Sequence, residues 1–210
     1  RPTLFLAQLS NLLAGNIAIV HGVTGASRTF MGEEQAGVDA IRIAHARIRS
    51  GQNEIFLVGG SFNSERPDSL LAYAMGKLLW TGAPTPVGER PAPGGFVLGS
   101  GGAFLVLESR AHAVKRGARI LAAIADVGVA RTRRAAGDIE AVLPRLWDEV
   151  GVTPDARVIS GALGLAATDA EERAALARLA PGARVDATQD LTGHLMEAHA
   201  PAGVALAAAL

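Results

Sequence analysis

Gly32-Glu33-Glu34-Gln35-Ala36-Gly37 leads into Val38 to Ser50 and then into Glu54-Ile55-Phe56-Leu57-Val58-Gly59. The fold class turns on how this stretch is read. Val38, Ile41, Ile43, Ala44 and Ile48 form a broad apolar face, with Arg42, Arg47 and Arg49 elsewhere, so the spacing predicts a helix ended by Gly51. Residues 54–59 are a continuous apolar run, the pattern of a strand buried on both faces. Before the turn, Thr24 to Met31 reads as extended. Extended segment, tight turn, helix and strand together make an α/β unit.

The same alternation continues outward. Leu4, Phe5, Leu9, Leu12 and Leu13 have helical spacing that Gly15 and Asn16 would close, and Ile17 to His21 reads as a further short helix or turn. Residues 60–95 are mostly loop with a helix around Leu70 to Leu79. Strands are expected at Phe96–Leu98, Ala103–Glu108, Ile120–Val129, Val158–Gly161 and Arg184–Ala187. Helices are expected at Ala111–Arg116, Asp138–Val150, Asp169–Leu179 and His194–Leu210.

Composition narrows the function. The chain has 210 residues, 49% of them apolar but only 4% aromatic, so its core is built mainly from Ala, Val, Leu and Ile. Its 20 basic and 20 acidic residues balance, which argues against a dedicated nucleic-acid binder. The absence of cysteine removes disulfides, thiolate metal sites and thiol nucleophiles, and fits a reducing cytoplasm. No apolar run reaches the roughly 18–20 residues of a membrane span. Arg1-Pro2-Thr3 does not read as a signal peptide, and the chain looks like an internal fragment. No metal site is expected. Gly99-Ser100-Gly101-Gly102 is not a phosphate loop, because no Gly-Lys-Ser/Thr follows it. Arg131, Arg133 and Arg134 form a small basic cluster, either a solvated loop or a docking patch for an acidic partner.

The chemistry centres on the turn before the helix. A side chain there meets unpaired N–H groups and the positive end of the helix dipole, which stabilise an anion. A thiolate would have its pKa lowered; the carboxylate of Glu34 is held in its charged form. The plain alternative is that Glu33 and Glu34 are ordinary first-turn acids.

A family resemblance bears on that choice. Gly25-Ala26-Ser27 through Gly37 is similar to the nucleophile segment of β-ketoacyl carrier-protein synthases, and Glu34 falls on the cysteine. Leu13 to Ala18 resembles the preceding helix, and Leu57-Val58-Gly59-Gly60-Ser61 the following strand end. The most specific match is Gly95-Phe96-Val97-Leu98-Gly99-Ser100-Gly101-Gly102-Ala103, with Leu105 to Glu108 and Ala113 to Ala118. Thr192-Gly193-His194 matches a second signature.

The resemblance implies a thiolase-like five-layered α/β/α/β/α duplication, present in part and normally dimeric. Residues 1–118 would belong to its N-terminal half and 119–210 to its C-terminal half. It also implies an acyltransferase site for decarboxylative Claisen condensation, built from a cysteine, two histidines and a lysine. Here Glu34 replaces the cysteine, Gly161 falls on one histidine, Gln189 replaces the lysine, and His194 is retained. Losing one oxyanion donor typically costs ~10²–10³ in rate, and residues that act as a unit lose most activity when one goes.

The pattern resembles the non-condensing chain-length factors, which pair with an active synthase and shape the acyl tunnel. Phe30 to Gly37 is similar to the cysteine-less partner synthases of the very-long-chain fatty acid pathway of bacterial lipid A. Implied partners are an acyl carrier protein, with its phosphopantetheine arm as substrate carrier and no cofactor of the chain's own, and a second copy or a Cys-containing synthase. Phe96 resembles a residue beside the pantetheine arm and equally fits a core. Malonyl–carrier protein decarboxylation or residual acyl transfer is the alternative activity. Condensation through Ser27, Thr29 or Ser61 is disfavoured, because none aligns with the nucleophile. His21, His45, His112 and His199 match no catalytic motif and read as surface or helix-face residues.

Overall fold

The computed structural model describes residues 9–133 and 135–210. Leu4 to Gln8 of the first expected helix, and Arg134 of the basic cluster, lie outside the described residues. Helix α1 is Leu12–His21. Gly15 and Asn16 fall inside it rather than closing it, and Gly22, at φ 65°, ends it. The segment 24–31 carries neither helix nor ladder. Helix α2, Glu33–Arg49, begins five residues earlier than its apolar face suggested, so both glutamates lie in its first turn.

Strand β1, Ile55–Phe62, pairs antiparallel with β2, Gly101–Glu108, with Leu57 opposite Val106 and Gly60 opposite Ala103. The expectation of a strand buried on both faces is corrected here. Val58 is buried, whereas Ile55 and Leu57 on the opposite face are 45% and 43% exposed. The covered face packs on α2: Ile41, Ala44 and Val58 form a core joined by Phe56, Leu105, Leu107, Ile124 and Val127. Residues 120–129 contribute two side chains to that core but form no strand, contrary to expectation. Their apolar spacing reflects packing, and no neighbouring backbone among the described residues completes a ladder with them.

Between the strands lies α3, Pro67–Met75, which stops four residues short of its expected end at Leu79. Phe96 and Leu98 make single bridges, to Leu79 and to His194, rather than a strand. Then follow α4, Arg110–Lys115, and α5, Asp138–Val150. A parallel pair β3, Val158–Ser160, and β4, Val185–Ala187, flanks α6, Ala166–Leu179. A short helix α7, Gln189–Thr192, had no sequence signal. The expected helix from His194 is a 3-10 turn at Met196–Ala198 and then α8, His199–Ala209. No helix among the described residues is long and apolar enough to cross a membrane.

Glycines make the close approaches that position the site. A Cβ on Gly99 would stand 1.9 Å from the Thr192 carbonyl oxygen. Without it, Gly99 N–H donates to His194 O at 3.0 Å and His194 N–H donates to Val97 O at 2.7 Å. Gly99 is therefore a glycine because two backbones meet there.

Candidate functional site

Glu34 and His194, 160 positions apart, meet at the start of α2. His194 Nε2 lies 2.8 Å from Glu34 Oε1, and the histidine is 1% exposed. The elbow that presents Glu34 is strained: Gly32 has φ 130° and Glu33 φ 50°, a left-handed conformation uncommon outside glycine. Tyr73, on α3, holds that elbow by donating its hydroxyl to Glu33 Oε1 at 2.7 Å. Burial, and then the Glu33 carboxylate, push the Tyr73 phenol above its ordinary range. The same hydroxyl approaches Met196 Sδ at 3.6 Å, and Met196 also has positive φ. Tyr73 thus touches both strained turns that carry the pair.

Phe96 is 4% exposed, a core residue between Tyr73 and His194, with ring centroids 5.2 Å from each. His199 stands on the other side of His194 at 4.9 Å. The expectation of a surface or helix-face role for His199 is corrected: it is 5% exposed, and neither ring nitrogen has a hydrogen-bond partner. Nδ1 of His194 is likewise buried and unpartnered. Burial, reinforced by the neighbouring His194 and opposed by Glu34, pushes the His199 imidazole down to about 4. The other three histidines lie away from the pair: His112 pairs with Glu108 at 2.6 Å, His45 is half-buried on α2, and His21 is exposed.

Gly161 and Gln189 lie at the ends of β3 and β4. A Cβ on Gly161 would meet no heavy atom within 4 Å, so the place of its side chain is open. Gln189 is 3% exposed and fully engaged. Its Oε1 accepts from Arg90 Nη1 at 3.0 Å and from Val97 N–H at 3.3 Å, and its Nε2 donates to Ala162 O at 3.4 Å. Arg90, which sequence reading did not single out, also donates to Gly95 O and Thr85 O. Asp169 accepts from Leu163 and Gly164 N–H at 3.2 and 2.7 Å, and Ser160 donates to Glu172 Oε1 at 2.8 Å. Burial raises both carboxyl pKa values, and the hydrogen bonds oppose it.

The hydroxyls Ser27, Thr29 and Ser61 are all exposed. A separate cavity of about 240 Å³ lies among Phe30, Ala40, Ile43, Ala44, Phe56 and Val58, and shares no lining residue with the Glu34–His194 pair. Among the described residues, no cluster of His, Asp and Glu has the geometry to hold a metal ion.

Solved ketosynthases share this architecture. The chain superposes on a type II polyketide ketosynthase solved with its acyl-carrier protein and a hexaketide, with a TM-score of 0.80 at 23% identity over 93% of this chain and 52% of that one. The ishigamide ketosynthase/chain length factor gives 0.70 at 25% identity, over 82% and 44%. The fold is therefore the thiolase-like fold of the ketosynthases, present in part. Residues 1–113 match the model of the β-ketoacyl synthase N-terminal domain, and the chain belongs to that family.

Among curated relatives, the ketoacyl synthase beta subunit of the tetracenomycin polyketide synthase from Streptomyces glaucescens is 35% identical over 208 residues, 92% of this chain and 50% of that protein. A 3-oxoacyl-[acyl-carrier-protein] synthase homolog from Saccharomyces cerevisiae is 34% identical over 122 residues, 58% and 27% of the two chains. The 3-oxoacyl-[acyl-carrier-protein] synthase 2 of Vibrio harveyi is 30% identical over 132 residues, 61% and 32%. The chain spans between 27% and 50% of these relatives' lengths.

Proposed function

We propose that this chain serves as a non-condensing partner subunit of a Cys-containing β-ketoacyl synthase and shapes the tunnel that holds its growing acyl chain. One observation carries this reading: where the family resemblance puts the nucleophile, Glu34 holds its carboxylate 2.8 Å from His194 Nε2. A carboxylate there cannot store an acyl group as a stable thioester, and an anhydride would hydrolyse. The open place at Gly161 and the internally bonded Gln189 support the reading. So does the likeness to a ketoacyl synthase beta subunit and to a ketosynthase/chain length factor.

On this reading residues 1–118 belong to the N-terminal thiolase-like half and 119–210 to the C-terminal half. The substrate arrives on the phosphopantetheine arm of an acyl carrier protein, within fatty-acid biosynthesis of the very-long-chain type, in the cytoplasm. The cavity beside α2 has apolar walls from Phe30, Ile43, Phe56 and Val58, with Ser27, Arg28 and Arg47 also lining it, and we assign it no part of the acyl chain. Co-expression with Cys-containing synthases is the test. A heterodimer on size exclusion is expected, and a homodimer that takes up no such synthase ends the idea.

A second reading, malonyl–carrier protein decarboxylase or residual acyltransferase, draws on the two adjacent imidazoles of His194 and His199. Mass spectrometry of malonyl–carrier protein decides it, and absence of the acetyl product removes it.

A further inference from the structure

Glu33 and Glu34 are neighbours in sequence and go to different partners. Across the left-handed turn at Glu33, φ 50°, Glu33 takes the Tyr73 hydroxyl at 2.7 Å while Glu34 lies 2.8 Å from His194 Nε2. The contacts then close on themselves. The Tyr73 ring stands edge-on to Phe96, and Phe96 edge-on to His194, with centroids 5.2 Å apart in each case. Tyr73 therefore reaches the pair from both ends, through the Glu33 carboxylate and through the Phe96 ring. One hydroxyl proton serves one acceptor at a time, and a carboxylate is a stronger acceptor than a thioether, so Met196 Sδ at 3.6 Å is a packing contact.

Close packing holds α2 from Ala36 and Gly37 onward: both are buried, and a Cβ on Gly37 would stand 2.5 Å from Glu197 O. Ahead of them Glu33 is exposed, and a Cβ on Gly32 would meet no heavy atom within 4 Å. The position of the elbow is left to its side chains. A left-handed residue other than glycine is disfavoured by about fivefold or more. A hydroxyl–carboxylate hydrogen bond with one side open to water offsets that by about five- to tenfold. The two effects are of similar size, so the hydrogen bond decides whether the turn holds. We infer that Tyr73 is a positioning residue: its hydroxyl pins Glu33 in the left-handed turn and so sets the Glu34 carboxylate on His194. The inference goes beyond the partner-subunit reading and does not depend on it.

The test uses the full chain with ¹⁵N-labelled histidine, which gives five imidazoles to follow. Glu34→Ala marks where the His194 resonance lies once its carboxylate is gone. Tyr73→Phe keeps the ring against Phe96 and removes only the hydroxyl. It should move the His194 resonance towards that mark, through a population shift of about fivefold or more. Glu33→Gln keeps an oxygen for the hydroxyl and should leave the resonance in place. Glu33→Ala keeps the strain of the turn, loses the acceptor, and should act as Tyr73→Phe does. In a Glu33→Gly background the strain is gone, and adding Tyr73→Phe should change nothing further. The inference is overturned if folded Tyr73→Phe leaves the resonance unmoved, as a packing role alone would. It is also overturned if Tyr73→Phe moves the resonance equally in the Glu33→Gly background. If Tyr73→Phe does not fold, the two Glu33 variants decide alone, and the inference falls if glutamine and alanine behave alike. Pairing with a synthase is scored separately: its loss with the resonances behaving as expected sinks only the partner-subunit reading, and the reverse sinks only the role of Tyr73.

Discussion

Two buried polar clusters lie close together and differ in one respect. Around Gln189, every described polar group has a partner: Arg90, Val97 and Ala162 bond the amide, while Leu163 and Gly164 bond Asp169. Around His194, three buried nitrogens have none. A saturated network fixes loops to each other and has no capacity left over. An unsaturated one costs stability, and a catalytic or binding role is one of the reasons such a group is kept. The first cluster therefore reads as architecture and the second as a site.

The strongest way to break this contrast is to move the backbone that joins the clusters. Gly99→Ala would drive a Cβ to 1.9 Å from Thr192 O and push 192–194 away from 97–99. We expect a loss of about 3 kcal/mol or more in urea denaturation. Next comes Gln189→Ala, which deletes a buried amide that joins half-buried Arg90, the Val97 N–H and the Ala162 carbonyl, and should cost about 1–3 kcal/mol in the same measurement.

His199→Leu should behave oppositely. It removes orphaned nitrogens, so at pH 7 stability should change by less than about 1 kcal/mol. Its signature is in pH. The folded pKa of about 4 lies below the ordinary 6.5, so between those values the unfolded chain binds the extra proton. Stability from the neutral imidazole is therefore present above pH 6.5 and lost as pH falls towards 4, by at most about 3 kcal/mol. Asp169 and Glu172, with raised pKa values, lose stability in the other direction as pH rises. Subtracting the two pH–stability curves isolates His199: the leucine variant should lack its acid-side decline. An identical decline would mean that His199 is not the group titrating. The smallest effect is expected at Gly161→Ala, within about 0.5 kcal/mol, because no atom stands near the new methyl and φ is not positive. A large loss there would show that the open place at Gly161 is not open.

Much of the fold was readable along the chain. Helices α2 and α5 follow from apolar periodicity, and α5 matches its expected bounds. The strand at Ile55 was readable, but its second face was not, because an apolar run does not say whether anything covers it. Residues 120–129 were misread for a related reason: strand-like composition needs a neighbouring backbone to become a ladder. Of the candidate residues, Glu34 and His194 were visible as positions, and the structure brings their side chains together. Arg90 and His199 were missed. Neither lies in a local motif, and each matters through a partner distant in sequence or through burial alone.

The sequence by itself determined the α/β alternation, the glycines at the close approaches and the family. It also determined which residues stand at Glu34, Gly161 and Gln189. These are matters of local period, of side-chain size and of motif order along one dimension. Only the tertiary structure decided that Glu34 rests on His194, that Gln189 is bonded on every side, and that His199 is sealed in with nothing to bond. Proximity and desolvation belong to packing, and packing joins residues that the chain itself keeps up to 160 positions apart.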